Sequence, residues 1–68
     1  MIVTSGNFSE WLKSQKKDRK MTSSDIAKAS GLTSASINGF LRGAQLPRFE
    51  TLEALAKAFD MRIEIRKN

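Results

Sequence analysis

Small and polar side chains recur at helical spacing between Thr33 and Gly43. On one helix they share a single outward face, which consists of Ser34, Ala35, Asn38 and Arg42. The amide of Asn38 carries a donor beside an acceptor, which matches the edge that adenine presents in the major groove of DNA. A serine hydroxyl donates or accepts there, and the methyl of Ala35 suits the methyl of thymine. These residue types at this spacing therefore indicate contact with base edges.

The expected base-contacting residues are Thr33, Ser34, Ala35 and Asn38. Thr33 has an alternative role as a plain N-cap of the same helix, and one side chain can do both. Ser36 points partly sideways, and it suits a hydrogen bond within its own helix as well as any outside contact. The prediction is a recognition helix whose N-terminal half lies against base edges.

Two short helices joined by a tight turn, over residues 22–43, must hold this face in place. Thr22 is the predicted N-cap of the first helix, with Asp25 as its reciprocal partner. Gly31 lies where the backbone must turn, in a left-handed conformation that favours glycine. Gly43 is expected to end the second helix. The residues predicted to face inward are Ile26, Ala27 and Ala29 from the first helix, and Ile37, Phe40 and Leu41 from the second.

Contacts with the phosphate backbone are expected on both sides of this helix pair. The residues assigned to phosphate are Ser23, Arg42, Gln45 and Arg48. Ser23 and its neighbouring amides lie at a helix N-terminus, where free N–H groups and the helix dipole attract anions. Arg48 has an alternative role as a solvated residue at a helix start. The basic run Lys16–Lys20 lies between the first helix of the chain and Thr22. It either touches phosphate or forms a solvated turn, and both remain open.

A helix before this pair is expected to complete one side of the core. Asn7 is its predicted N-cap. Phe8, Trp11 and Leu12 form one apolar stripe, so Trp11 is assigned to the core rather than to stacking on a base. Met21 is expected to tuck under the start of the next helix.

A helix after the pair is expected to complete the other side. Pro47 favours a helix that begins just after it, so the fourth helix is predicted from about Arg48 to Phe59. Its predicted inward residues are Phe49, Leu52, Leu55, Ala56 and Phe59. The sequence therefore predicts a mainly α fold of four to five helices.

The period of the pattern changes over residues 61–66, where apolar and charged residues alternate as in a β-strand. The residues expected to pair are Met61, Ile63 and Ile65, with Glu64 between them. A lone strand leaves its backbone groups unpaired, and the same strand of a second copy is the simplest partner. The expectation is a homodimer held by antiparallel C-terminal strands. The alternatives are pairing with Ile2 and Val3, or a frayed tail.

Charge limits the register of such a strand pair. Centring the pair on Glu64 places like charges opposite each other, which is unfavourable. Centring on Ile63 or on Ile65 instead places Glu64 opposite an arginine of the partner. One of these last two registers is predicted.

Composition excludes most other classes. The chain has 68 residues and is read as one domain, 1–68, with a formal charge of +5 and a pI near 10.1. A small basic domain attracts polyanions, nucleic acid first and an acidic membrane second, and the alternative is that the charge only keeps the chain soluble. With the helix pair, the expected partner is double-stranded DNA. Cys and His are absent, so no metal, cofactor or catalytic triad is expected, and the chain is not read as an enzyme. No membrane segment or signal peptide is evident, and a cytoplasmic, nucleoid-associated protein is expected.

Residues 22–59 resemble the lambda-repressor/Cro-type (XRE-like) helix-turn-helix family. The resemblance is carried by Ala27, Gly31, Ile37, Phe40 and Gly43, and by the segment LPRFETLEALAKAF, which is similar to the family's fourth helix. Two positions depart from the family pattern. Ser23 stands where the family often has a glutamine that helps to hold a phosphate, and Leu41 and Arg42 stand where an acidic residue is usual.

The resemblance implies a transcriptional repressor that binds an inverted-repeat operator as a homodimer and autoregulates its own operon. Half-sites about one turn apart, roughly 34 Å, are expected for such a dimer. A C-terminal strand is similar to that of short antitoxins of the HipB and HigA type, and small phage or anti-CRISPR-associated repressors are similar in size. The alternative is therefore an antitoxin that binds a toxin protein and its own promoter.

Overall fold

The computed structural model describes residues 3–4 and 6–63 of the chain. Its helices are α1 (Phe8–Asp18), α2 (Ser23–Ser30), α3 (Ser34–Leu41) and α4 (Phe49–Ala58). Helix α2 packs against both α3 and α4, and α1 packs against α3. The mainly helical prediction is confirmed. Residues 61–63 have no regular secondary structure, and residues 64–66 of the predicted strand lie outside the described residues.

Side-chain caps begin two of the helices as the sequence predicts. The amide of Asp25 donates to Thr22 Oγ1 at 3.0 Å, and the amide of Thr22 donates to the Asp25 carboxylate at 2.9 Å. Thr33 Oγ1 accepts from the amide of Ser36 at 3.1 Å. The capping box of α2 and the N-cap of α3 are therefore confirmed.

The predicted cap of α1 is wrong in its chemistry. Asn7 occupies the N-cap position, but its side chain makes no capping bond and instead accepts from the amide of Thr4 at 2.7 Å. The cause lies in the backbone, because Asn7 has a ψ of 7° rather than the extended value that turns an N-cap side chain over the first turn.

All four of these helices end in the same way. Each is followed by a residue with positive φ, and these are Lys20, Gly31, Gly43 and Asp60, at 52°, 75°, 73° and 56°. The next amide along the chain then bonds a carbonyl five residues back, as Met21 does to Lys16 at 3.0 Å and Met61 does to Ala56 at 2.7 Å. The sequence predicted a left-handed residue at Gly31 and a helix end at Gly43, and it missed the left-handed endings at Lys20 and Asp60.

One apolar core lies between the four helices. Its fully or nearly buried members are Phe8, Trp11, Leu12, Ile26, Ala27, Ile37, Phe40, Leu55, Ala56 and Phe59. The assignment of Trp11 to the core is confirmed, and its ring meets Phe59 edge-on at 5.8 Å. Met21, Leu41 and Leu52 are partly buried against this core.

Two residues predicted to face inward do not. Phe49 is 51% exposed, and Ala29 is also exposed. Both lie near the end of a helix, Phe49 at the start of α4 and Ala29 at the end of α2. There they line an open groove with Met61 and Ile63 instead of reaching the core between the helices.

The basic run is also placed differently from the prediction. Helix α1 continues to Asp18, so Lys16 and Lys17 lie in its last turn rather than between helices. Only Arg19 and Lys20 of the run follow the helix. Cations at a helix C-terminus are favoured by the helix dipole, which explains why the basic residues extend α1 rather than end it.

Candidate nucleic-acid interface

Helix α3 presents the polar face that the sequence predicts. Ser34, Ala35 and Asn38 are exposed, and Arg42 follows them at the C-cap. On the opposite side, Ile37 is fully buried and Phe40 is 5% exposed, so the core fixes the rotation of the helix. The outer side chains are short apart from Arg42, so a flat surface can approach the helix closely. Their contact with bases stays a prediction.

A hydrogen bond joins this face to the start of α2. The hydroxyl of Ser23 donates to Asn38 Oδ1 at 2.7 Å. The sequence assigned the two residues to different tasks, phosphate for Ser23 and a base for Asn38, and did not predict that they touch. The spacing of 15 residues gives no periodic signal, and only the fold brings the two side chains together.

The hydroxyl of Thr33 makes its hydrogen bonds with Ser36 of the same helix. Its hydroxyl oxygen accepts from the amide of Ser36, and its proton goes to Ser36 Oγ at 3.0 Å. The cap role is therefore present, and Ser36 bonds within its helix. To donate to a base, the Thr33 hydroxyl must change partner, whereas its second lone pair can still accept from one. That contact stays a prediction.

The residues assigned to phosphate lie around α3. Ser23 is the first residue of α2, Arg42 is the C-cap of α3, and Arg48 is the N-cap residue of α4. Arg42 and Arg48 both lie at helix ends, where a long side chain can extend toward a neighbouring strand of DNA. Gln45 is different, because its side chain covers the backbone of Gly39 on α3.

The N-terminus of α2 has groups that attract an anion and one that repels it. By helix geometry, the amides of Ser23 and Ser24 have no partner within the helix, which leaves two donors for a phosphate. The Asp25 carboxylate lies in the same turn. A hydrogen bond from the Thr22 amide, and then one from its hydroxyl, lower the pKa of Asp25, so this carboxylate is charged at neutral pH.

The basic run divides into two groups. Arg19 turns toward α4, where Nη2 donates to the carbonyl of Phe59 at 2.7 Å and the guanidinium lies 5.0 Å from the centre of the Phe59 ring. The lysines instead line a groove on the surface of α1 and the turn after it. Lys16, Lys17 and Lys20 line one open groove with Met21 and Leu41, and Lys13, to which the sequence pattern gave no role, lines it too.

The predicted dimer residues are only partly described. Met61 and Ile63 are 40% and 39% exposed, and they share the open groove with Phe49. Glu64 and Ile65 lie outside the described residues. Exposed apolar side chains in one groove form a surface that a partner can cover.

Two further findings concern the described residues alone. They contain no group of three or more Asp, Glu, His or Cys side chains that could hold a metal ion. None of their helices is long and apolar enough to cross a membrane.

Comparison with known proteins identifies the family. The family model of the Cro/C1-type helix-turn-helix DNA-binding domain matches residues 11–64, which is more than half of the chain. No significant match was found among curated proteins or among solved structures. The matched segment includes α2, α3 and α4 with the exposed face of α3. The chain therefore belongs to the Cro/C1-type helix-turn-helix family of DNA-binding regulators.

Proposed function

We propose that this protein is a sequence-specific repressor that binds double-stranded DNA as a homodimer on an inverted-repeat operator. The observation that carries the proposal is the exposed polar face of α3, fixed from behind by Ile37 and Phe40. The base contacts then come from Thr33, Ser34, Ala35 and Asn38. The family membership supports DNA binding, and the residue roles and the repressor role are proposals that extend it.

Asn38 is suited to bind adenine through two hydrogen bonds. Its Oδ1 has two lone pairs, and the bond from Ser23 uses one of them. The other accepts from the amino group of adenine, while Nδ2 donates to N7. The Ser23 bond also holds the amide in one orientation, so less side-chain entropy is lost when the base is bound.

Phosphate contacts position this helix without reading sequence. We assign them to the amides of Ser23 and Ser24 and to Arg42 and Arg48, since the single hydroxyl proton of Ser23 already goes to Asn38. Each neutralised phosphate releases counterions, so binding by a chain of formal charge +5 should weaken steeply as salt rises.

A second copy supplies the second half-site. One recognition helix reads only a few base pairs, and a two-fold dimer reads two such sites about one turn apart, roughly 34 Å. Met61 and Ile63 are exposed and apolar, as a dimer surface requires, and we extend this surface to Glu64 and Ile65. The bound dimer represses by covering a promoter on nucleoid DNA, and its own operon, for example a phage or anti-CRISPR operon, is the proposed target.

Selection of binding sites from random duplex DNA tests the proposal. The expected result is an enriched palindrome whose half-sites are about one turn apart. Enrichment of an unpaired half-site would remove the dimer from the proposal. A pool with no enriched sequence, even at low salt, would contradict sequence-specific binding.

The alternative function is an antitoxin that binds a toxin protein as well as its own promoter. The groove at Phe49, Met61 and Ile63 favours a partner of some kind, and a toxin is an alternative to a second copy. A neighbouring reading frame that encodes a toxin would favour this function. A dimer that forms through the groove in the purified protein would favour the repressor.

A further inference from the structure

We propose that four lysines on α1 and in the turn after it form a second contact with the DNA backbone. Lys13, Lys16 and Lys17 lie at i, i+3 and i+4 of α1, and Lys20 follows one turn later. All four line one open groove with Met21 and Leu41. This inference rests on the proposed DNA binding and adds a surface that the phosphate assignments above do not include. It is called the lysine groove below.

The lysine groove adjoins the proposed interface. The hydrogen bond between Ser23 and Asn38 joins the start of α2 to α3. Met21 lies two residues before Ser23, and Leu41 lies three residues after Asn38, and both line the groove. A DNA strand whose phosphate binds the start of α2 therefore passes beside the lysines.

The chemistry of the groove suits a phosphodiester chain. The described side chains that line it include four cations and no carboxylate. Lysines of like charge at these spacings repel each other within a helix, and a bound polyanion removes that repulsion. Long lysine side chains can lie along Met21 and Leu41 while their ammonium groups remain in water, where backbone phosphates reach them. A phosphate backbone therefore fits better than an apolar partner.

Salt titration of binding to a random duplex tests the lysine groove. Lys17→Gln removes one charge and keeps a good helix former at an exposed position. Lys28→Gln, at an exposed position on α2, is the control because it changes the net charge equally. The slope of log Kobs against log salt concentration should decrease in magnitude by about 0.9 for each phosphate that is no longer neutralised. For a dimer the decrease should be about twice as large. Lys13→Gln with Lys17→Gln should lower the slope further.

The outcomes separate this inference from the function on which it rests. A smaller slope for the Lys17 variant, with a nearly unchanged slope for the Lys28 variant, supports the groove. Equal changes in both variants would mean that only net charge matters, and no change in the Lys17 variant would remove the contact. If the unmodified protein fails to bind duplex DNA at all, the proposed function itself fails. Circular dichroism confirms that each variant is folded.

A separate observation concerns Gln45, and we infer that this residue contacts a base rather than a phosphate. Gly39 lies about 40° from Ala35 and about 60° from Arg42 around α3, hence on its outer side. It is nevertheless buried, because the Gln45 side chain covers it. A Cβ at residue 39 would lie 3.1 Å from Gln45 Cδ and closer still to Nε2. The amide of Gln45 thus takes the place of a side chain on the outer face of α3.

Gln45→Ala distinguishes a base contact from a phosphate contact. With a base contact, preference at one operator position should fall by about 5- to 150-fold, while affinity for random duplex stays unchanged. Leu46→Ala, at the exposed neighbouring position, is the control. If Gln45→Ala instead weakens binding to operator and random duplex equally, with a smaller salt slope, Gln45 contacts a phosphate, as the sequence predicts. If the variant binds both duplexes as the unmodified protein does, Gln45 is not part of the interface. If Asn38→Ala also leaves base preference on the operator unchanged, the proposed function has failed rather than this inference.

Discussion

At the scale of single residues, the proposed specificity depends on how firmly short side chains are held. Asn38 is exposed, and an exposed amide samples several rotamers unless something restrains it. Ser23 provides that restraint through a bond of 2.7 Å. Ser23 therefore has two roles in the proposal: its amide contacts a phosphate, and its hydroxyl positions Asn38.

The first prediction concerns this pair. Ser23→Ala should lower preference at the base position read by Asn38, because the amide is no longer held. In a double-mutant cycle with Asn38→Ala, the two effects on operator binding should be non-additive by about 0.5–3 kcal/mol. Titration of fluorescent duplexes measures all four proteins. Additive effects would show that the hydrogen bond has no part in recognition.

At the scale of elements, the ends of the helices fix the geometry of the interface. The capping box at Thr22 and Asp25 sets where α2 begins, and the left-handed turn at Gly31 sets where it ends. Both are predictable from sequence, because capping residues and turn glycines have local signals. The left-handed endings at Lys20 and Asp60 are not, because neither lysine nor aspartate marks such a turn reliably.

The second prediction concerns the pH dependence of the α2 cap. Hydrogen bonds from Thr22 lower the pKa of Asp25 from its ordinary value of 3.8. A lowered carboxyl pKa gives stability that is present above the unfolded-state value and disappears as pH falls through the folded-state value. Asp25→Ala should therefore lower Tm at pH 7, and its deficit against the unmodified protein should shrink on acidification below about pH 4. A deficit that is constant with pH would contradict the cap's charge dependence.

The third prediction concerns the left-handed ending of α4. Asp60 has a φ of 56°, which is unfavourable for a residue with a Cβ. Asp60→Gly should raise the free energy of unfolding by up to about 1 kcal/mol, since relief of strain exceeds the added chain entropy of glycine. Gly31→Ala makes the opposite change, because it adds a Cβ at a residue with a φ of 75°. It should lower the free energy of unfolding by about 1 kcal/mol because of this backbone conformation alone. A Cβ there meets nothing within 4 Å. Urea unfolding measures both, and destabilisation by Asp60→Gly would contradict the strain.

At the scale of the whole molecule, the sequence predicted the helices, the face of α3 and most of the core. These features have periodic signals that one sequence contains. It did not predict the contact of Arg19 with Phe59, the contact of Ser23 with Asn38, or the groove that includes Lys13. Each of these joins elements distant in the chain, so only the packing of helices creates it.

The packing of the helices also explains why Phe49 is exposed. Its spacing from Leu52 matches an inward stripe, but Leu52 is only partly buried against the core, and full burial on α4 begins at Leu55. The residue instead lies in the groove of Met61 and Ile63, where it adds to the surface proposed for a second copy.

The fourth prediction tests that surface. Ile63→Asp places a charge in the proposed dimer interface and should shift sedimentation toward the monomer, because an unpaired buried charge is costly. Leu46→Asp introduces the same change at a residue that is 63% exposed and does not line the groove, and it should leave the dimer intact. An unchanged dimer in the Ile63 variant would exclude this surface.

The most direct test of the central claim, that the outer face of α3 reads DNA sequence, is the affinity of Asn38→Ala for the selected operator and for single-base variants of it. The proposal predicts that discrimination at one base position falls by about 1–3 kcal/mol, with binding to random duplex unchanged. Equal weakening on every duplex, or full discrimination without the amide, would contradict it.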